Sequence, residues 1–332
     1  MKALRSVCLA LAVLVSACSP AKQAAPPAGQ ALTVIRFATD WRAEAEHGGF
    51  YEALANGEYK KRGLDVRIVQ GGPGVNVPQL LAAGSADLGI GSNAFIVMNL
   101  AQEGVPLKAV AAAFQKDPQV LIAHPDAGVE TLADLKGHPI LLSDASITAF
   151  WVWLKAKYGF TDDQVRKYTF NNGPFLADKR AAEQGYVTSE PYTLEKEAGL
   201  KAKVFLLADN GYPGYGAMIL APDSLISKNP TAVRAFVEAS AAGWRDYLNG
   251  DSKPADALIR QDNPEITQDV LDQARAKLKS YGIVEGGDAV SGGVGAMTDA
   301  RWKTFFDMAS SQGVYPRTLD PRRAYTLQFV GK

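Results

Sequence analysis

The chain has 332 residues, 35 Lys and Arg against 35 Asp and Glu, 47% hydrophobic and 9% aromatic residues, and two cysteines. That length suits one large or two ordinary domains, and the apolar content excludes disorder as the dominant state. Zero formal charge, with no basic run interleaved with aromatics, excludes nucleic acid as a partner.

The first segment stands apart from the rest. Lys2 and Arg5 precede an apolar run from Val7 to Val15, and small residues follow at Ser16 and Ala17, which reads as an export signal. The run is about half of the roughly 20 residues that a membrane-spanning helix needs. Val15-Ser16-Ala17-Cys18 resembles a bacterial lipobox, in which cleavage before the cysteine leaves its thiol to carry diacylglycerol. Residues 1–17 are therefore expected to be a signal peptide and Cys18 the lipidated residue. Residues 18–31, with Pro20, Pro26 and Pro27, are expected to form a flexible tether. Cleavage removes Lys2 and Arg5 and turns a neutral chain slightly acidic. Cys8 leaves with the signal, so no disulfide, thiolate nucleophile or cysteine-based metal site is expected.

From residue 32 onward, short β-rich runs alternate with helical spacing. Strands are predicted at 32–40, 65–70, 87–91 and 107–113, and helices at 48–62, 75–83 and 95–103, with Gly63 and Gly84 as C-terminal stops. This alternation implies a parallel sheet covered by helices on both faces. Residues 119–124 and 216–221 are apolar strands, each closed by Pro-Asp, and are expected to cross between two lobes. Residues 32–122 are then the first part of lobe 1, residues 123–214 lobe 2, and residues 215–332 the return crossing with the helical remainder of lobe 1. Lobe 2 is predicted to contain strands at 140–142 and 204–207 and a helix at 148–158. After the return, Asn229 caps a helix with Pro230 in its first position that runs to about Leu248. Residues 254–306 read as mostly helical, with a Gly-rich break at 286–295. The expected fold class is α/β, two lobes joined by two crossing strands that act as a hinge, with a ligand cleft between them beyond the carboxyl ends of the strands.

The loops after the strands carry the candidate chemistry. Gly89-Ile90-Gly91-Ser92-Asn93-Ala94 matches a dinucleotide fingerprint in letters but follows the third strand rather than the first; it reads as a tight turn offering Ser92 and Asn93 to the cleft. Glu44, Glu46 and His47 are too few and too irregularly spaced for a metal site and read as a solvated loop. No hydrolase signature is present, so no catalytic residue is expected. Asp40, Trp41 and His47, at the end of the first strand, lie where a cleft should be. Trp41, Phe50, Tyr51 and Tyr59 can each supply a stacking face, with core packing the alternative for the helical tyrosines. In lobe 2 the matching positions are Ser143 and Ser146, then Phe175 in Asn172-Gly173-Pro174-Phe175, then Glu190 and Tyr192 in a Ser-Glu-Pro-Tyr segment.

Asp40-Trp41, His47-Gly48-Gly49-Phe50-Tyr51, Ala53, Gly57, Tyr59 and Gly63-Leu64-Asp65-Val66 follow one another in a fixed order. They continue through Gly84-Ser85-Ala86-Asp87-Leu88-Gly89-Ile90-Gly91 and Leu132-Ala133-Asp134-Leu135-Lys136-Gly137. This series resembles the SsuA-like and thiamine-pyrimidine-precursor-synthase-like branch of the periplasmic binding protein superfamily, over most of residues 32–240. The resemblance implies a periplasmic solute receptor of an ABC importer, lipid-anchored through Cys18, with no metal and no cofactor. Its implied partners are a small-molecule ligand and a permease with a cytoplasmic ATPase, and the protein is expected to be a monomer that touches the membrane only through its lipid. The ligand is expected to be an aromatic or heterocyclic nutrient resembling a thiamine-pyrimidine precursor, with Glu190 beside Tyr192 facing its amino group. A sulfonate or similar anion is the alternative, as is an enzyme or sensor partner using the same cleft. The synthases of this branch carry a cysteine-rich segment, which this chain lacks.

Overall fold

The computed structural model describes residues 31–331; the expected signal peptide, Cys18 and nearly all of the tether lie outside the described residues. The chain builds two five-stranded sheets from β1 (Thr33–Ala38), β2 (Leu64–Val69), β3 (Leu88–Asn93), β4 (Leu107–Phe114), β5 (Gln119–Ala123), β6 (Ile140–Leu142), β7 (Val165–Lys167), β8 (Ala182–Tyr186), β9 (Lys203–Leu206) and β10 (Gly216–Pro222). The first sheet has the order β2-β1-β3-β10-β4 and the second β7-β6-β8-β5-β9. Neither is purely parallel as predicted: β1 runs parallel to β2 and β3, but β10 enters antiparallel between β3 and β4. In the second sheet β5 likewise runs antiparallel to both β8 and β9. The expected crossing strands are thus the first strands after each crossing. The crossings themselves are two links, 115–118 and 207–215. Pro-Asp closes β10, but the chain passes between lobes before it.

Helices α1 (Gly48–Ala55), α2 (Glu58–Lys61), α3 (Val77–Ala82) and α4 (Ala94–Glu103) cover the first sheet. The second lobe carries α5 (Asp144–Ile147), α6 (Phe150–Tyr158), α7 (Gly173–Ala177) and α8 (Glu190–Ala198). The return adds α9 (Asp223–Lys228), α10 (Pro230–Asn249), α11 (Lys253–Asp262), α12 (Gln268–Ser280), α13 (Ala289–Gly292) and α14 (Asp299–Ser311), all on the first lobe. Asn229 accepts from the Ala232 amide at 3.1 Å, so the Asn-Pro start of the long α10 is a side-chain cap as its sequence requires.

The glycines of the His-Gly-Gly motif serve this helix. A Cβ on Gly48 would lie 2.1 Å from the Tyr247 ring, and one on Gly49 would lie 2.2 Å from Trp244. Their absence lets α1 lie flat on α10, and Phe37, Phe50 and Phe236 close the layer beneath, at 4.7 and 4.8 Å between centroids. Phe50, Tyr51 and Tyr59 are consequently core residues and offer no stacking face. The Tyr51 hydroxyl donates to Asp262 at 2.7 Å, and Tyr59 stacks on Phe236 with its hydroxyl 2.9 Å from Ser240.

Both links are held by one cation. Arg301 of α14 donates through Nε to the Pro213 carbonyl at 2.9 Å, and through Nη2 to the Gly214 carbonyl at 3.0 Å and to the Gln115 carbonyl. Its guanidinium lies 4.0 Å from the Tyr215 ring centroid. A planar five-donor fork can join two separate backbone segments in this way, which a lysine cannot.

Candidate functional site

The loops at the carboxyl ends of β1, β3, β6 and β8 meet the two links around a cleft of about 390 Å³ between the lobes. Eight residues expected there from sequence line it: Asp40, Trp41, His47, Ser92, Asn93, Ser143, Ser146 and Glu190. Asp40 anchors the first-lobe wall. Its carboxylate faces His47 Nε2 at 3.2 Å and accepts a hydrogen bond from the Ser92 hydroxyl. Burial works to raise the Asp40 carboxyl, but the His47 and Ser92 contacts outweigh it and hold the group below its ordinary range. Asn93 caps α4 by accepting from the Phe95 amide at 3.1 Å, so the glycine-rich turn is a strand-to-helix junction. In the second lobe Ser143 caps α5, accepting from the Ser146 amide at 3.3 Å, and its own amide donates to Gln184 at 2.6 Å.

Three expected site residues lie elsewhere. Tyr51 is committed to Asp262 in the first lobe. Phe175 is fully buried under His124, with 4.3 Å between ring centroids. Tyr192 faces out of the cleft and donates to Asp269 of α12, which also pairs with Lys196 at 2.7 Å. That pair joins α8 to α12 and therefore ties the two lobes together beside the cleft.

The acidic loop after β1 corrects the sequence reading. Glu46 and His47 are buried in a single 3-10 turn, and with Glu44 they line the cleft instead of facing bulk solvent. The turn packs beneath α12, which sequence spacing cannot reveal. Thr188, just beyond β8, donates its hydroxyl to Glu46 across the lobes, and Gln273 of α12 donates to the Thr188 carbonyl at 2.5 Å. Among the described residues no group of three or more His, Cys, Asp or Glu is arranged to hold a metal ion.

Sequence reasoning also missed Asp117 and Tyr212 from the links, Gln119 at the start of β5, and Phe170. Phe170 lies between β7 and α7, is 60% exposed, has φ of 59°, and its ring lies 5.6 Å from Trp41 of the opposite lobe. A phenylalanine in left-handed backbone is strained, and here it pairs with Trp41 to form an aromatic lip on the cleft.

Five carboxyl groups, those of Asp40, Glu44, Glu46, Asp117 and Glu190, are part of the lining. Burial pushes the Glu190 carboxyl up to about 7 although the Tyr186 amide donates to it at 2.7 Å; Asp117, also buried, is pushed up to about 7. Gly185 makes room for this arrangement, since a Cβ there would lie 2.7 Å from Glu190 Oε2. Behind Glu190, Glu183 is wholly buried with neither carboxyl oxygen partnered, and burial followed by the Glu190 charge raises it to about 8. Because its folded-state value lies above the ordinary one, stability is full below the ordinary carboxylate range and is lost as pH rises through about 8. Glu183→Gln removes that loss. Urea unfolding is expected to show the variant more stable by on the order of 2 kcal/mol at about pH 9 and little changed at about pH 5.

Residues 44–253 match the family model described as NMT1/THI5 like. The riboflavin-binding protein RibY of Chloroflexus aurantiacus is 25% identical, covering 98% of this chain and 94% of the relative. The formylaminopyrimidine-binding protein of Halalkalibacterium halodurans is also 25% identical, covering 75% of this chain and 74% of the relative. Among solved structures, the alkanesulfonate-binding protein SsuA from Xanthomonas axonopodis pv. citri, bound to MOPS, superposes with a TM-score of 0.65 at 15% identity, covering 90% of this chain and 99% of the other. The fold is thus the periplasmic binding protein fold.

Proposed function

This chain belongs to the NMT1/THI5-like family, and we propose that within it the protein is the substrate receptor of an ABC importer, capturing a flat, nitrogen-rich heterocycle and presenting it to a permease. One observation carries the ligand class: among the described residues the cleft lining includes Asp40, Glu44, Glu46, Asp117 and Glu190 and no Lys or Arg. A sulfonate wants guanidinium groups or free helix N-termini. Here the side chains of Asn93 and Ser143 already occupy amides at the starts of α4 and α5. Acceptor-rich walls instead suit a ligand that offers N–H donors, and the Trp41–Phe170 lip suits a flat ring. An aminopyrimidine fits both features. A flavin ring is the second reading, favoured by the RibY match along nearly the whole chain.

Capture and release without covalent chemistry is the proposed mechanism. The lobes rotate about the 115–118 and 207–215 links, and in the closed form Glu46 meets Thr188 while Trp41 meets Phe170. Mass spectrometry of the small molecule released by denaturing the purified protein tests this reading. An intact aromatic heterocycle is the expected finding; a reaction product or an alkanesulfonate would count against it. We also propose export and anchoring through Cys18, supported by the lipobox-like segment. Cys18→Ala is expected to move the protein from the membrane fraction to the soluble periplasmic fraction.

A further inference from the structure

The cleft carries its charge unevenly. Its carboxyls stand on the loop after β1, in the first link and at the start of α8, whereas α4 of the first lobe and the α5 turn of the second line it with Ile96, Asn99, Ala145 and Thr148, none of them charged. Asp144 of α5 is exposed and pairs with Lys167 at 3.2 Å, outside the lining. We infer that the ligand is longer than its flat ring and carries an uncharged, hydroxyl-bearing chain that lies along α4 and α5, with Asn99 and Thr148 as the residues that select it. The inference deepens the receptor reading and rests on it.

Helical spacing makes this wall. In α4, Ala94, Phe95, Val97 and Met98 are buried in the core, which leaves Ile96 half-buried and Asn99 exposed, three residues apart on one face. Asn99 stands five residues beyond Ala94, about 7 Å further along the helix axis at roughly 1.5 Å per residue. The lining therefore extends well beyond the contact between Ser92 and Asp40. Ala145 and Thr148 are likewise three residues apart, and both are exposed. The cleft volume of about 390 Å³ falls within the roughly 300–1,000 Å³ of sites that hold drug-sized molecules, more than a single ring needs.

The hydrogen-bonding capacity of the two polar residues names the group they take. The Tyr315 hydroxyl donates to Asn99 Oδ1 at 2.6 Å, which leaves the Nδ2 donors of Asn99 without a partner among the described residues. Thr148 donates its own proton to the Ala145 carbonyl at 3.1 Å, so its oxygen remains free to accept. A donor and an acceptor together suit a hydroxyl, which is both; a carbonyl would serve Asn99 alone, and an N–H would serve Thr148 alone. Ile96 and Ala145 beside them suit the carbon skeleton of such a chain. A terminal phosphate or carboxylate does not fit, because the described lining holds five carboxyls and no Lys or Arg to balance it. An ammonium group on the chain would find no lining carboxylate on α4 or α5.

Isothermal titration calorimetry with matched pairs tests the inference: riboflavin against lumiflavin, and cytidine against cytosine, each pair being one flat heterocycle with and without a hydroxyl-bearing chain. In the pair whose ring is accepted, the chain-bearing member is expected to bind about tenfold tighter. Flavin mononucleotide, whose chain ends in phosphate, is expected to bind more weakly than riboflavin. Asn99→Ala and Thr148→Val, each with its fold checked by its melting temperature, are expected to shrink the ratio within the pair by about threefold apiece. Thr148 is exposed and bonds only within its own turn, so its variant keeps the test valid if Asn99→Ala loosens Tyr315. Equal or weaker binding of the chain-bearing members overturns the inference and leaves the receptor reading standing. Flavin mononucleotide binding as tightly as riboflavin overturns the requirement for an uncharged chain. Binding of none of these heterocycles overturns both readings, and a chain preference that survives both substitutions overturns the assignment to Asn99 and Thr148.

Discussion

Gly243→Ala is expected to destabilise the first lobe by about 3 kcal/mol in urea unfolding, even though alanine is the better helix former by about 1 kcal/mol. Gly243 lies inside α10, and a Cβ there would stand 2.1 Å from the Gly49 carbonyl oxygen, 2.6 Å from the Ala53 amide and 2.7 Å from Ala53 Cβ. Two of those atoms are backbone, which no rotamer change can move aside. The helices must separate, and with them the Gly48 and Gly49 contacts on Tyr247 and Trp244. Because α1 begins directly after His47, the same shift displaces the turn that carries Glu46 and His47 into the cleft. An unchanged or raised unfolding midpoint would show that the α1–α10 contact is looser than described here.

Trp41→Ala is expected to weaken binding of a flat heterocycle about tenfold to a hundredfold, the range seen when an aromatic stacking partner of a nucleobase is removed. Trp41 is only partly buried and sits in the loop after β1, so its truncation removes little core. Phe170→Ala should act in the same direction, and the double variant should lose less than the sum of the two, because each ring gives the other its position across the cleft. Fluorescence titration of the three variants checks this. Full additivity would place the two rings in separate contacts with the ligand.

Much of the first lobe was legible because its strands and helices obey simple periods. β1 to β4 lie within a few residues of the predicted runs, and Asn229-Pro230 starts α10 where cap and proline rules place it. The second lobe was harder for a physical reason. β8 is Ala-Glu-Gln-Gly-Tyr, with no β-branched residue and two polar ones, yet it is a central buried strand whose Gln184 serves the Ser143 amide and whose Glu183 has no partner. Its burial is tertiary in origin and leaves no local signature. β7, Val-Arg-Lys, is short, at the edge of its sheet, and was missed as well.

The site divides in the same way. Asp40, Trp41, Ser92 and Ser143 follow predicted strands, so the rule about carboxyl ends finds them. Asp117 and Tyr212 come from the links and Gln119 from the start of β5, and the path there depends on which sheet each neighbouring strand joins. Glu44 and Glu46 looked solvated because acidic loops usually are, and only the packing of α12 over the turn encloses them. Phe175 was expected in the cleft as part of Asn172-Gly173-Pro174-Phe175. The structure instead buries Phe175 against His124 and sends Phe170 to the lip.

The account turns on a cleft that closes over a flat, donor-bearing heterocycle, and Trp fluorescence titration of the purified protein, freed of its co-purifying ligand, measures this most directly. Saturable one-to-one binding of an aminopyrimidine or a flavin, with alkanesulfonates and taurine producing no change, is the predicted result. Tight binding of an alkanesulfonate with no response to either heterocycle would contradict it.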